Sequence, residues 1–293
     1  MTTLAALGFG YCARHLVALH PAAFSGVVGT ARTAEKARAM PAGIAGFVFD
    51  GKSLSPDLAE ALRRTDVLLV SAPPDDGGDP VLRAAGAALE AGGLSQVVYL
   101  TTLGVYGDHG GAWVDEATPP RPQSARLLRR LEAEAAWFDF GARRGIPVAV
   151  LRLAGIYGPG RNALAQLAAG EARAILKPGQ VFNRIHVEDI ASTILAVVAR
   201  GFGGVLNVTD DAPAASCDPI LHAAALLGRP APELVPFAEA AKTMSPMALS
   251  FWDNNKRVSN ARLKGELGVV LQHPTYREGL AALRAAGEGA RAL

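Results

Sequence analysis

The stretch Thr3-Leu4-Ala5-Ala6-Leu7-Gly8-Phe9-Gly10-Tyr11-Cys12-Ala13 decides the fold. Its first five residues carry no charge and predict a short buried strand, and residues 13–19 show helical periodicity. Between the two, Gly8 permits a tight turn and Gly10 lets backbone approach an anion. Ala13 stands where a third glycine is common and is still small enough for close packing of helix on strand. A pyrophosphate would rest on the amino end of that helix, where unpaired N–H groups and the helix dipole favour negative charge. Gly8, Gly10, Tyr11 and Cys12 are therefore candidate cofactor contacts. The competing reading is a glycine-rich turn that binds nothing.

Working outward, short apolar runs alternate with helix-like segments. Strands are predicted over residues 3–7, 26–30, 46–49, 66–71, 96–101 and 147–151, with helices over 13–19, 80–91 and 124–141. Strands apolar on both faces and alternating with amphipathic helices describe a parallel sheet covered on both sides, hence an α/β, Rossmann-type doubly wound fold. After residue 157 the rhythm weakens. A helix is predicted over 189–199 and a strand over 205–208, and from Asp210 onward prolines are frequent. The expected organisation is a cofactor-binding domain over 1–209, with 158–185 contributing to a substrate cleft. Residues 210–293 are expected to form a smaller substrate-binding lobe at the sheet's carboxyl edge.

The same first segment selects a dinucleotide. No Asp or Glu occurs before Glu35, where an acidic residue would hold the ribose hydroxyls of NAD. The second strand runs instead into Arg32-Thr33, with Lys36 beyond. A guanidinium offers a two-pronged donor for a 2′-phosphate, so NADP is the expected cofactor, with Arg32 and Thr33 at the phosphate. Asp50 closes the third strand and Ser71-Ala72-Pro73 the fourth. These positions suit an adenine contact and a ribose pocket, although strand ends are often polar or proline-containing for no functional reason.

Composition bounds the rest. The 293 residues are 50% hydrophobic and 19% charged, with a net charge of +2, so a packed core is expected and a nucleic-acid partner is not. No apolar run reaches the roughly 18 residues of a membrane span, and the amino end lacks the basic region of a signal peptide. A soluble, cytoplasmic protein is expected. Two cysteines make no disulfide framework. The six histidines are scattered along the chain without a zinc-ligand spacing, so no metal is expected. Asp75-Asp76, Asp115-Glu116 and Asp210-Asp211 read as solvated turns, and no G-x-S-x-G supports serine hydrolase chemistry.

Further segments carry a resemblance. Thr101-Thr102-Leu103-Gly104-Val105-Tyr106-Gly107 resembles the fifth-strand segment and Val-Tyr-Gly turn of the extended short-chain dehydrogenase/reductases, the NAD-dependent epimerase/dehydratase proteins. Trp113-Val114-Asp115-Glu116, the segment from Leu151 through Tyr157-Gly158-Pro159-Gly160, and His186-Val187-Glu188-Asp189-Ile190-Ala191 are similar to later segments of that family, in order. The resemblance implies a catalytic role for Thr102, which would hold the reacting oxygen, with Thr101 beside the cofactor. It also implies a tyrosine, with a lysine four residues on, at the helix after Pro122. No Tyr-x-x-x-Lys occurs anywhere in the chain; Arg126 and Arg130 stand at those two positions.

A guanidinium cannot donate the proton. Tyr106 is the candidate substitute acid, against the alternative of a tyrosine that only lines the cleft. Arg130 is expected at the cofactor, and Arg126, Arg161, Arg184 and His186 at the substrate. Arg152 is expected among the cleft cations, and Arg130–Glu134 could instead form a solvated i,i+4 ladder. The cations favour a small anionic carbonyl or sugar-derived substrate, handled by an NAD(P)-dependent oxidoreductase or epimerase/dehydratase-like enzyme. The alternative is a non-catalytic NADP(H)-binding sensor or regulator. A homodimer is left open.

Overall fold

The computed structural model describes residues 2–290. The chain opens with β1 (Thr3–Leu7), α1 (Tyr11–Leu19), β2 (Gly26–Ala31), α2 (Ala34–Arg38) and β3 (Ile44–Val48). It continues through α3 (Pro56–Arg63), β4 (Val67–Val70), α4 (Pro80–Glu90), β5 (Gln96–Thr102), β6 (Trp113–Val114) and the long α5 (Ala125–Arg144). Then come β7 (Val148–Leu153), β8 (Gly155–Tyr157), α6 (Ala163–Ala169), β9 (Ala174–Leu176), β10 (Arg184–His186), α7 (Val187–Arg200) and β11 (Gly204–Val208). The last part holds α8 (Asp218–Leu226), β12 (Leu234–Pro236), α9 (Phe237–Ala241), α10 (Pro246–Leu249), β13 (Arg257–Val258), α11 (Ala261–Gly265) and α12 (Tyr276–Ala285).

Seven strands form one sheet in the order β11-β7-β5-β4-β1-β2-β3, and the pairs β2–β3, β1–β2, β1–β4 and β4–β5 are parallel. From β1 the chain winds outward through β2 and β3, then returns to β4 on the other side of β1. This reversal is the switch point at which such sheets leave a crevice at their carboxyl ends. Alternate strand residues Ala5, Leu7, Leu68, Val70, Val97 and Tyr99 pack on one face against Leu58, Val81, Leu89, Trp137 and Phe140. The residues between them, such as Leu4, Leu69 and Val98, are equally buried and face the other way. Burial on both faces is why these strands read as uninterrupted apolar runs. Edge strand β3 is the exception, half-open to solvent.

The helices begin where their capping residues require. Ser55, Asp79, Ser124 and Asn162 each accept a backbone N–H from the first turn of α3, α4, α5 and α6. Asp79 also accepts from the Trp137 indole at 3.0 Å, so one buried carboxylate caps α4 and anchors α5.

The chain divides into two compact units. The first comprises the residues up to Val105 with Pro122–Arg152 and Ile190–Leu206. The second comprises Tyr106–Arg121, Leu153–Asp189 and the residues from Asn207 onward. Within the second unit, three two-stranded parallel pairs (β8–β10, β9–β12 and β6–β13) accompany a helical core. Tyr157, Leu164, Ile220, Tyr276, Leu280 and Leu283 form that core, contributed by β8, α6, α8 and α12. No helix among the described residues is long and apolar enough to cross a membrane.

Candidate functional site

The cofactor candidates of the first unit lie where its strands end. Gly8 adopts φ +98°, a conformation that a side chain disfavours, and a Cβ there would lie 2.6 Å from Ser71 Oγ. The turn is held from both sides: Gly8 N–H donates to Thr30 Oγ1 at 2.9 Å, and Ser71 Oγ donates to Gly8 O at 2.6 Å. Ser71 follows β4 and Gly8 follows β1, so this contact sits at the switch point itself. Gly10 is the amino cap of α1 and supplies no side chain to its first turn. A Cβ on Gly10 would meet only Gly8 O, at 3.8 Å. Open space before an uncapped helix of nine residues, with no acid in its first turn, fits the phosphates of a dinucleotide.

Arg32 follows β2, is exposed and has no polar partner among the described residues. Thr33 caps α2, accepting from Lys36 N–H, which leaves its hydroxyl hydrogen available. Asp50 accepts from Lys52 N–H at 2.9 Å, and that bond holds its carboxyl below the ordinary value. Ala72 is half-buried against the core and Pro73 exposed. Tyr11 and Cys12 open α1, with the Tyr11 ring edge-on to His15. Thr102 is half-buried, and its Oγ1 accepts from Gly104 N–H at 3.1 Å. Arg126 and Arg130 share one side of α5; burial, and then the neighbouring Arg130, lower the Arg126 guanidinium from its ordinary value. Arg130 also donates to Leu100 O at 3.4 Å.

Several expectations are corrected. Thr101 is buried and shares the strand face of Tyr99, whose ring packs against Trp137, so its side chain points into the core. Glu134 forms no solvated ladder with Arg130. It is 2% exposed and accepts from Arg152 Nη2 at 2.7 Å and Nε at 3.2 Å, so Arg152 is consumed by a buried ion pair. Tyr106 is fully enclosed, and its hydroxyl donates to Asn207 Oδ1 at 2.8 Å. That side chain is part of the second unit's interior rather than a proton donor open to substrate. His186 is 1% exposed, with Glu188 N–H donating to its Nδ1 at 3.3 Å, so it is walled off from the expected substrate.

Of the acidic turns, Asp75-Asp76 is solvent-exposed as expected, whereas Glu116 and Asp210 are drawn inward. Asp75 is gripped by both Arg83 terminal nitrogens, which hold its carboxyl down at about 2, and Asp76 pairs with Arg129. Glu116 accepts from Asn207 N–H at 2.8 Å. Asp210 is buried; desolvation pushes its carboxyl up to about 8, against the lowering effects of the Ala212 N–H and of Arg184.

The second unit holds its own pocket, of about 320 Å³, in which Arg161 and Arg184 do come together. Tyr157, Tyr276 and Ile220 supply apolar walls and Asn183 a polar one. Arg184 donates to the carbonyls of Phe182, Ala214 and Ala215 at 3.1–3.2 Å, which fixes its guanidinium, whereas Arg161 is exposed. Sequence reasoning missed Lys256, which is 6% exposed and donates to Gly107 O at 2.9 Å; burial pulls its ammonium down to about 8. It also missed Asn207 and His273. Each is joined to its partner across some 85 to 150 residues of chain, and no local pattern signals such a pairing.

A sequence model described as the NAD dependent epimerase/dehydratase family matches residues 77–209. A solved structure from Silicibacter pomeroyi, described as a functionally unknown conserved protein, is 46% identical with a TM-score of 0.86. That match covers 98% of this chain and 100% of that one. A curated relative from Streptomyces, 3-diazoavenalumate denitrifying reductase, is 28% identical over 57% of this chain, which spans 55% of that protein's length. UDP-glucuronic acid 4-epimerase from Bacillus cereus, solved with NAD, shares the fold at 18% identity and TM-score 0.75, over 98% of both chains. The parallel sheet and the glycine turn at its switch point agree with the family match: residues 77–209, from just before α4 to just past β11, belong to the NAD-dependent epimerase/dehydratase family.

Proposed function

We propose that the protein is an NADP(H)-dependent reductase of a small, anionic carbonyl or sugar-derived compound. One observation carries the cofactor reading: an uncapped glycine turn, followed by Arg32 with no acid before Glu35. Bound NADP(H) supplies hydride transfer. Around it, the amino end of α1 at Gly10, Tyr11 and Cys12 receives the pyrophosphate, and Arg32 and Thr33 the 2′-phosphate. Asp50 faces the adenine, Ser71, Ala72 and Pro73 shape the space for a ribose, and Arg130 holds the nicotinamide half. Thr102 orients the reacting oxygen and Arg126 adds positive charge beside it. Within the second unit, Arg161 and Arg184 give its own pocket a preference for an anionic group. A relative named as a reductase supports reduction over epimerisation. The small pocket of the second unit likewise supports a compact substrate.

Calorimetric titration with NADPH and with NADH tests this. NADPH is expected to bind more tightly, and Arg32→Ala to weaken NADPH roughly ten- to hundredfold, the worth of a charge-assisted contact, with NADH unchanged. Equal affinity for both cofactors, or an Arg32→Ala protein that keeps the preference, overturns it.

A second reading, an NADP(H)-binding sensor without turnover, has its own support: the chain has no Tyr-x-x-x-Lys, and the Tyr106 hydroxyl is committed to Asn207. NADPH oxidation across a panel of carbonyl acids separates the two, since a sensor binds NADPH and consumes none.

A further inference from the structure

The fold gathers two histidines that the chain keeps far apart. His186 ends β10, Glu188 lies in the first turn of α7, and His273 comes from the segment before α12. The two imidazole rings are 3.9 Å apart between centroids, and one ligand atom from each of the three residues lies within 4.8 Å of the others. Glu188 Oε2 is 2.8 Å from His273 Nε2 and 4.0 Å from His186 Nδ1. All three belong to the second unit.

We propose that His186, Glu188 and His273 bind a divalent cation of the zinc class. Two imidazoles and one carboxylate form a donor set suited to zinc, with the remaining position left to water. Metal–ligand lengths of about 2.0–2.2 Å in a tetrahedral shell put ligand atoms about 3.3 Å apart. The two separations to Glu188, 2.8 and 4.0 Å, bracket that spacing and all three ligand atoms lie within 4.8 Å, so a cation requires side-chain shifts of about 1–2 Å. The tautomer also suits a ligand. A bond from Glu188 N–H to His186 Nδ1 requires a lone pair on that nitrogen, and at 3.3 Å it is long enough to give way to a metal.

Outer support is in place as well. Asp189 accepts from Gln272 N–H at 2.6 Å and His273 N–H at 3.2 Å, which fixes the backbone that presents His273. The Tyr157 ring stands edge-on to His186 at 5.0 Å. Both histidines are buried, while the Glu188 side chain is 29% exposed and gives the ion its way in. The cation would cross-link the β10–α7 junction to the segment leading into α12 and stiffen the Tyr157 wall of the pocket. This site is independent of the cofactor reading, because it uses none of the cofactor's residues.

Chelator-treated protein, titrated with zinc against a competing chelator and freed of unbound metal by gel filtration, gives the stoichiometry by elemental analysis. One zinc per chain is expected for wild type and for His222→Gln, and none for Glu188→Gln or His273→Gln. Cobalt in place of zinc should give visible d–d absorption in wild type and lose it in Glu188→Gln. Wild-type protein without stoichiometric zinc overturns the proposal, as does a Glu188→Gln protein that retains it. If His273→Gln fails to fold, the wild-type stoichiometry and the more exposed Glu188 decide the matter.

Discussion

The two units treat polar groups in opposite ways. In the first, the glycine turn keeps side chains away: Gly10 leaves open space before α1, the turn's own N–H groups bond within the fold, and the nearest polar side chains, Thr30 and Ser71, brace it from behind. In the second, polar side chains are tied to partners across long stretches of chain, as in Tyr106–Asn207, His273–Glu188 and Lys256 with the Gly107 carbonyl. A site made from backbone needs residues that omit something, and omission is visible in sequence as glycine. A site made from side chains needs partners brought by the fold, and these are invisible until the fold is known.

Buried charge gives the largest test of this contrast, because the first unit also contains elements of the second kind, among them the Glu134–Arg152 pair. Glu134→Ala removes the carboxylate that faces a buried guanidinium, which is expected to cost about 3–5 kcal/mol. At roughly 2–4 °C per kcal/mol, that lowers the melting temperature by about 10 °C. Replacing both partners with Leu and Met is expected to recover most of the loss, since an apolar pair has no charge to strand. A single variant that melts like wild type would show that the pair is hydrated in solution.

Gly8→Ala comes next. Its backbone conformation disfavours a side chain by about 1–2 kcal/mol, and Ser71 must move. NADPH affinity is expected to fall at least tenfold, a change of about 1.4 kcal/mol, read by calorimetry. Undiminished binding would remove the turn from the site and the contrast with it.

Asp210 in the second unit tests the contrast through pH. Its buried carboxyl is raised from an ordinary 3.8 to about 8, chiefly by desolvation, so the folded state favours the protonated form. Its contribution to stability is complete below pH 4 and declines as pH rises toward 8. Asp210→Asn should flatten that part of the stability–pH curve, measured by denaturant titration at several pH values. An unchanged slope would assign the pH dependence to other groups.

Legibility followed the same division. The elements β1, β2, β4, β5, α4 and α5 lie within a few residues of their expected bounds, because buried parallel strands and capped helices leave local marks. The i,i+4 spacing of Arg130 and Glu134 was equally visible and misleading. It records neighbours on one helix but not Arg152 on β7, which offers Glu134 a closer, drier partner. Asp210 looked solvated beside Asp211 because sequence cannot show which of two adjacent carboxylates the packing turns inward. The Tyr106 hydroxyl was likewise read by its distance along the chain from Thr102, whereas Asn207, 101 residues away, holds it.

The chain passes between the two units five times. During synthesis this sets an order of completion. All of the first unit has emerged once residue 206 clears the ribosome, while the second still waits for α12 to meet α6 and α8. At about 5–20 residues per second that interval lasts roughly 4–17 s. Throughout it, Tyr157, Leu164 and Ile175 are already made but lack their later partners, so the nascent chain displays an apolar surface that the finished protein hides. Chaperone dependence and sensitivity to carboxyl-terminal truncation are therefore concentrated in the half of the molecule that is finished last.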